Sequence, residues 1–288
     1  ATRHAAQLAE AREVRMNFSL TTNGTMLTTA DAEFFERYGF AVTVSLDGVA
    51  ETHDALRPTK GGQGSYARIL ERVRPLLDLQ RQMQVSVRAT VTPLNLGLTE
   101  MLEEFVRLGL HSVGFSPMLS APDGKHEMTG DALERMLAEM VVCGLRFEAA
   151  VSEGTRMPFL NMVNAMRELH GRARRPRPCG AAAGYLGVGA DGSLAACHRF
   201  VGDEAHSFGN LQDGLDTASV QAWEASRRVD SQEPCRSCWA RYLCGGGCHY
   251  EVIHSGRTAC DFIRGWLHYC LQAYARLSAD APHYFQGS

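Results

Sequence analysis

Apolar and polar positions alternate through four short runs in the first half of the chain, and each run ends in turn chemistry. Asn17-Phe18-Ser19-Leu20-Thr21-Thr22 stops at Asn23-Gly24, and Ala41-Val42-Thr43-Val44-Ser45-Leu46 stops at Asp47-Gly48. Val85 to Val91 ends before Pro93, and Ser112 to Ser116 ends at Pro117. Runs of this kind predict strands. Between them the apolar spacing changes to three and four residues, which predicts helices. Thr29 or Asp31 is placed to cap a helix carrying Phe34, Phe35 and Tyr38. Tyr66, Ile69, Leu70, Val73, Leu76 and Leu77 form a second stripe, which Pro75 should bend, and Leu102, Phe105, Val106 and Leu108 form a third. Two more helices are predicted around residues 130–150 and 157–170. Cys143, among Met136, Met140, Val141 and Leu145, reads as a buried thiol.

Strand, helix, strand at this spacing predicts parallel βαβ units and an α/β fold, whose chemistry lies at the carboxyl ends of the strands. That rule singles out Thr22-Asn23-Gly24, Ser45-Leu46-Asp47-Gly48, Arg88 to Thr92 and Ser116. Each, taken singly, also reads as a plain turn or an exposed strand residue.

Composition narrows the class. The 288 residues, 45% hydrophobic and 21% charged, suffice for one large core and a smaller module. A net charge of -3 gives no reason to expect nucleic acid or an anionic membrane as partner. No apolar run reaches the roughly 20 residues of a membrane helix, and the start does not read as a secretory signal. Gly171 to Pro178 breaks the helical pattern and reads as a linker. Its arginines, Arg172, Arg174, Arg175 and Arg177, fit a solvated connector or a docking surface for an acidic peptide.

The nine cysteines are the strongest signal: Cys143 stands apart, and the other eight fall in the last 110 residues. The odd number and the ample core argue against a disulfide scaffold. Cys179 is followed by twelve residues, Gly192, four residues and Cys197; then come Cys235-x2-Cys238-x5-Cys244-x3-Cys248 and, eleven residues on, Cys260. Seven thiols exceed the need of one tetrahedral ion, so two four-ligand centres with one ligand outstanding are implied. The Cys-x2-Cys opening alone also suits zinc. Gly245, Gly246 and Gly247 read as a tight turn, or as a stretch that lets backbone N–H groups approach the sulfurs of a [4Fe-4S] cluster.

The seven-cysteine spacing resembles the SPASM domain of radical S-adenosylmethionine enzymes. Thr22-Asn23-Gly24, Ser45-Leu46-Asp47-Gly48 with His53-Asp54, and Val87-Arg88-Ala89-Thr90-Val91 resemble the third, fourth and fifth strand motifs of their partial (β/α)6 barrel. The resemblance implies a barrel part over 1–170, a linker over 171–178 and an iron-sulfur domain with a C-terminal helix over 179–288. The C-x3-C-x2-C motif that holds the cofactor-cleaving cluster, and the Gly-Gly-Glu-Pro motif, have no counterpart. The chain therefore resembles the C-terminal two thirds of such an enzyme, lacking the first strands and a third cluster, and is expected not to cleave S-adenosylmethionine by itself.

By the same resemblance, Cys235, Cys238, Cys244 and Cys260 hold an outer auxiliary [4Fe-4S] cluster, and Cys179, Cys197 and Cys248 an inner one. The extra cysteine that some relatives carry shortly after the first is absent between Gly180 and Gly189. The inner fourth position is then open to a substrate thiolate, or closed by Cys270 or by an oxygen or nitrogen ligand; Cys270 otherwise reads as a buried thiol beside Trp266, Leu267, Leu271 and Tyr274. Asn23, Ser45 and Arg88 are the implied contacts to S-adenosylmethionine. Cys238 to His249 and Cys260 to Trp266 resemble maturases that form cysteine thioether cross-links, including those acting on the quinohaemoprotein amine dehydrogenase small subunit. The implied reaction is oxidative joining of cysteine sulfur to a carbon of Asp or Glu in a polypeptide, in the cytoplasm. It needs a leader or flanking docking region on the substrate and an external electron donor. The alternatives are oxidation of Cys or Ser to formylglycine, as in sulfatase-activating relatives, and a zinc-stabilised peptide-binding module without catalysis.

Overall fold

Val42, Val44, Val85, Val87, Ala89 and Val91 lose nearly all contact with solvent, and burying them builds the sheet that the alternation predicts. The computed structural model describes residues 1–121 and 123–286. It divides into two compact units, 1–166 with 275–288, and 167–274.

In the first unit, α1 (Thr2–Ala11) precedes β1 (Ser19–Thr22), α2 (Thr29–Arg37), β2 (Ala41–Ser45), α3 (Ala50–Leu56), α4 (Tyr66–Leu79), β3 (Gln84–Val91), α5 (Leu98–Arg107), β4 (Ser112–Pro117) and α6 (Gly130–Ser152). The four strands are all parallel and lie in sequence order. Ile69, Val73 and Leu76 of α4 and Leu98, Met101, Leu102 and Phe105 of α5 are buried, as helices covering a parallel sheet require. α4 continues through Pro75 to Leu79. Cys143 is fully buried on α6, and burial pushes its thiol up to about 12. At the chain's end Arg276 pairs with Glu148 at 2.8 and 2.9 Å, and the rings of Tyr284 and Phe147 meet edge-on at 5.7 Å.

The cap of α2 is Thr28, not Thr29 or Asp31. Its side chain accepts from the Asp31 N–H at 3.2 Å while the Asp31 carboxylate accepts from the Thr28 N–H at 2.9 Å, a reciprocal capping box. Gly24, at φ 76°, is fixed by space as well as by dihedral: a Cβ there would lie 2.8 Å from Ile69 Cγ2.

After α7 (Leu160–His170), the second unit holds β5 (Gly187–Val188), β6 (Ser193–Ala195), β7 (Ser207–Asn210) and β8 (Gly214–Leu215), an antiparallel sheet. Then follow α8 (Thr217–Ser226), α9 (Arg241–Cys244), α10 (His249–Ser255) and α11 (Cys260–Asp280). Its core is made of small residues, Ala181, Ala182, Ala195, Ala196 and Cys197, around Phe200, Phe208 and Val220.

The linker is not a solvated connector. The Arg174 guanidinium lies 4.0 Å over the Tyr242 ring, the Arg175 N–H donates to Tyr242 O at 2.8 Å, and Arg177 pairs with Glu224 at 3.0 Å. Arg175 also pairs with Glu168. A Cβ on Gly245 would stand 2.5 Å from the Arg177 and Pro178 backbone, so the strap lies directly on the glycine run. Three of the four arginines thus have partners within the unit, and Arg172 is left exposed.

Candidate functional site

Parallel sheets are ordinarily apolar on both faces; this one is not. Paired residues share a face, so Thr21, Thr43, Ser86 and Ser112 form one row across the sheet, and Ser45, Arg88 and Gly114 the next. The Ser112 hydroxyl donates to Ser86 Oγ at 2.8 Å. The valines point to the opposite, helix-covered face. Ser45, the last residue of β2, is therefore the direct neighbour of Arg88, which lies three residues before the end of β3 and is exposed. Asn23 follows β1, but its carbonyl oxygen already accepts from the Thr25 N–H and hydroxyl at 3.1 and 2.9 Å. Only its amide N–H groups remain for a ligand.

Asp47, His53 and Asp54 instead build a buried buckle beneath that rim. The Asp47 carboxylate pairs with Arg57 and accepts the Thr90 N–H at 2.8 Å, joining the ends of β2 and β3. Asn95 donates to Asp47 O at 2.7 Å and to Thr90 O at 2.9 Å. The Asp47 N–H donates to His53 Nδ1 at 3.1 Å, which makes Nε2 the protonated nitrogen, 3.1 Å from Ser65 Oγ. Burial, first among the causes, holds the His53 pKa below its ordinary value, so the ring is neutral. Asp54 accepts the Ser65 and Tyr66 N–H groups at 2.7 Å each, at the start of α4. In this buckle the motif residues are structural.

In the second unit Cys235 and Cys244 lie close to Cys238 and Cys260, the thiols that the resemblance groups with them. Cys235 and Cys244 are shifted up, first by burial and further by negative charge on neighbouring thiols: Cys244, Cys260 and Cys238 act on Cys235, and Cys260 and Cys238 on Cys244. Gly245, Gly246 and Gly247 run consecutively at φ 76°, 101° and 79°. That conformation turns the Gly246 and Gly247 N–H groups onto the Cys244 sulfur. Arg257 locks the turn by donating to Gly246 O and to Gln232 Oε1, both at 2.6 Å. Arg264, held first by Asp261, also bonds Cys238.

One hydroxyl lies beside the other set. Tyr185 Oη stands 3.8 Å from Cys179 Sγ, and Cys179, Cys197 and Cys248 all act electrostatically on it. Arg199 pairs with Glu251, lies 4.0 Å over the Tyr250 ring and brings Nη1 to 4.0 Å from Cys248 Sγ. Cys270 is fully buried on α11. Neither Tyr185 nor the flanking arginines stood out in the sequence, because a loop and two salt bridges, not spacing, bring them to the sulfurs.

Among the described residues no three His, Cys, Asp or Glu side chains converge as holding a single ion demands. A tetrahedral zinc site needs every sulfur drawn to about 2.3 Å from one point. In a four-iron cluster each thiolate binds a separate iron, so the sulfurs ring a volume instead. Backbone N–H groups aimed at the Cys244 sulfur and guanidinium groups beside Cys238 and Cys248 suit the thiolates of such a cluster.

No family model matches this sequence. A serine-type anaerobic sulfatase-maturating enzyme of Klebsiella aerogenes is 25% identical over 87% of this chain and 63% of its own length. One of Bacteroides thetaiotaomicron is 25% identical over 92% of this chain and 67% of its own. An uncharacterized protein of Archaeoglobus fulgidus is 28% identical over 86% of this chain and 61% of its own. The chain thus spans under two thirds of the first of these relatives. Among solved structures, native anSMEcpe with bound AdoMet matches with a TM-score of 0.78 at 16% identity, covering 96% of this chain and 78% of that one. The same protein with AdoMet and the Kp18Cys peptide matches at 0.75, also at 16% identity, covering 97% of this chain and 82% of the other. The α/β fold is that of a partial radical S-adenosylmethionine barrel. The relatives support the resemblance to that family.

Proposed function

We propose that this chain is part of a radical S-adenosylmethionine enzyme that oxidises a serine or cysteine side chain of a polypeptide to formylglycine. The observation that carries the reading is likeness over most of the chain to several sulfatase-maturating enzymes. Loss of a hydrogen atom from the side-chain carbon and then of an electron, with the proton of the hydroxyl or thiol, is a net two-electron oxidation; serine gives the aldehyde directly, and cysteine a thioaldehyde that water converts to the aldehyde with release of hydrogen sulfide. S-adenosylmethionine on its cluster supplies the hydrogen-atom abstraction, and auxiliary clusters supply a route for the electron. Cys235, Cys238, Cys244 and Cys260 are the proposed ligands of one auxiliary cluster, and Cys179, Cys197 and Cys248 of the other. Ser45 and Arg88 present a hydroxyl and a cation, side by side, to the polar ends of the cofactor, and the Asp47 buckle fixes the strands that carry them. A polypeptide substrate with a docking region and an external electron donor complete the proposal.

Thioether formation is the second reading, favoured by the stretches Cys238 to His249 and Cys260 to Trp266. Two of the relatives above are serine-type anaerobic sulfatase-maturating enzymes, which supports formylglycine over the cross-link. A protein that also carries C-x3-C-x2-C, incubated with S-adenosylmethionine, a reductant and a serine-containing sulfatase peptide, tests the order. Formylglycine predicts loss of a hydrogen pair by mass and reaction of the product with a hydrazide. A cysteine peptide losing a hydrogen pair without gaining an aldehyde would favour the cross-link. Two clusters' worth of iron and sulfide in the reconstituted chain is expected, and stoichiometric zinc without sulfide would end both readings.

A further inference from the structure

Residues 167–178 and 223–241 hold nine arginines, no lysine and four carboxylates. The carboxylates are all engaged: Glu168 pairs with Arg175, Glu224 with Arg177, Glu233 with Arg236 and, at 3.8 Å, Asp230 with Arg241. Among the described residues no carboxylate pairs with Arg172, Arg174 or Arg228, and all three are exposed. Positive charge is therefore in excess here, in a chain whose net charge is -3.

Backbone hydrogen bonds gather these cations on one surface. The Val229 N–H donates to Pro176 O at 2.9 Å and the Arg175 N–H to Tyr242 O at 2.8 Å, which brings the neighbouring Arg228 and Arg241 alongside the strap that carries Arg172 and Arg174. Two guanidinium groups share one ring there: Arg174 lies 4.0 Å and Arg241 4.7 Å from the Tyr242 centroid. The ring face offsets part of the repulsion between them. Asp230 adds little, because its Oδ1 accepts the Tyr242 hydroxyl at 2.7 Å while Arg241 Nε, without a hydrogen-bond partner, stays 3.8 Å away. The Arg241 side chain as a whole is 33% exposed, so solvent reaches it. Paired guanidinium forks with donors to spare suit a carboxylate, which accepts two parallel N–H bonds from such a fork. A face that only had to stay wet would be served as well by lysine, which is absent.

We infer that the surface around Tyr242, made by Arg172, Arg174, Arg228 and Arg241, docks an acidic stretch of the polypeptide substrate, flanking the residue to be modified. The inference rests on the reading that the substrate is a polypeptide and names the chemistry of its docking region. Charge selects this partner over a nucleic acid: a long polyanion meets net repulsion from a molecule of charge -3, whereas a short acidic segment touches the cationic patch alone.

The test is fluorescence anisotropy on the anaerobically reconstituted chain with two labelled probes. One is a serine-containing sulfatase peptide extended by a tail of alternating Asp and Glu, and the other carries Asn and Gln in that tail. The acidic tail should tighten binding about tenfold at low ionic strength, as a few exposed ion pairs together allow. That gain should vanish in the triple variant Arg172→Gln, Arg174→Gln, Arg241→Gln with iron and sulfide at the parent level, and return in part with lysine at the three positions. An acidic tail that binds no better than the amide tail, or a gain that persists in the triple variant, would overturn the inference. So would an oligonucleotide of equal charge that displaces the probe as readily as the acidic peptide does. If the triple variant loses its clusters, Arg172→Glu at its exposed position replaces it and should weaken the acidic probe alone about threefold; unchanged affinity there overturns the inference. Formylglycine formation, followed in parallel on a protein that also carries C-x3-C-x2-C, separates the two readings. A tail effect without aldehyde would bring down the proposed reaction and leave the docking surface, and aldehyde without a tail effect would do the reverse.

Discussion

His53 shows how much one side chain can commit the fold to a protonation state. Its Nδ1 accepts from the Asp47 N–H, so a second proton has no place on the ring without breaking that bond. Burial holds its pKa down from the ordinary 6.5, whereas the unfolded chain takes up the proton at that value. The unfolded state then binds more protons as pH falls below about 6.5, and stability must decline in that direction. Denaturant titrations should show this decline between pH 6.5 and the lower folded pKa, and it should shrink in His53→Gln; equal slopes in both proteins would refute it. Gly246 is the second position where one atom decides. At φ 101°, with Val229 Cγ1 3.2 Å from where a Cβ would stand, alanine is strained by about 1–3 kcal/mol. It also turns an N–H away from Cys244. Gly246→Ala should lose the outer cluster's iron and sulfide and keep the inner cluster's, read by metal and sulfide analysis.

At the scale of elements, α2 owes its start to the Thr28–Asp31 exchange, so Thr28→Ala should cost about 1 kcal/mol in chemical denaturation. A change below a few tenths would mean that packing of Phe34 and Phe35 alone sets the helix. The four parallel strands were legible because Asn-Gly, Asp-Gly and proline close them and because β-branched residues alternate within them. The same alternation in Val85-Ser86-Val87-Arg88 also held the polar row on the sheet, but the row becomes visible only once Thr43, Ser86 and Ser112 are in register. β5 and β8 have two residues each, too few for any periodicity, and exist only through their pairing. The spacing implied only two four-ligand centres, and the division into two sets came from the resemblance, whereas Tyr185 carried no signal at all. Its place depends on the left-handed turn at Ala182, which no preference of alanine announces.

For the whole molecule, the two units differ in what holds them together. The first buries long side chains such as Phe105, Phe147, Ile69 and Leu76, while half of the eight residues of the second unit's buried cluster are alanines. Alanine buries less apolar area than the long side chains of the first unit, so bound metal should supply part of the second unit's stability. Hydrogen exchange after chelation should therefore quicken through residues 179–260 and leave 41–45 and 84–91 protected; uniform protection would contradict this. The far edge of the first sheet carries one more consequence. Asn161 accepts the Phe115 N–H and donates to Phe115 O, both at 3.0 Å, and Val113 N–H donates to Pro158 O at 2.8 Å. An amide side chain thus plays the part of a strand and occupies backbone groups that could otherwise template a neighbouring chain. In Asn161→Leu those groups lose their partner, and the sheet edge gains the means to recruit a second copy. Such a variant should form thioflavin-positive aggregates on warming, at temperatures where the parent protein remains dispersed.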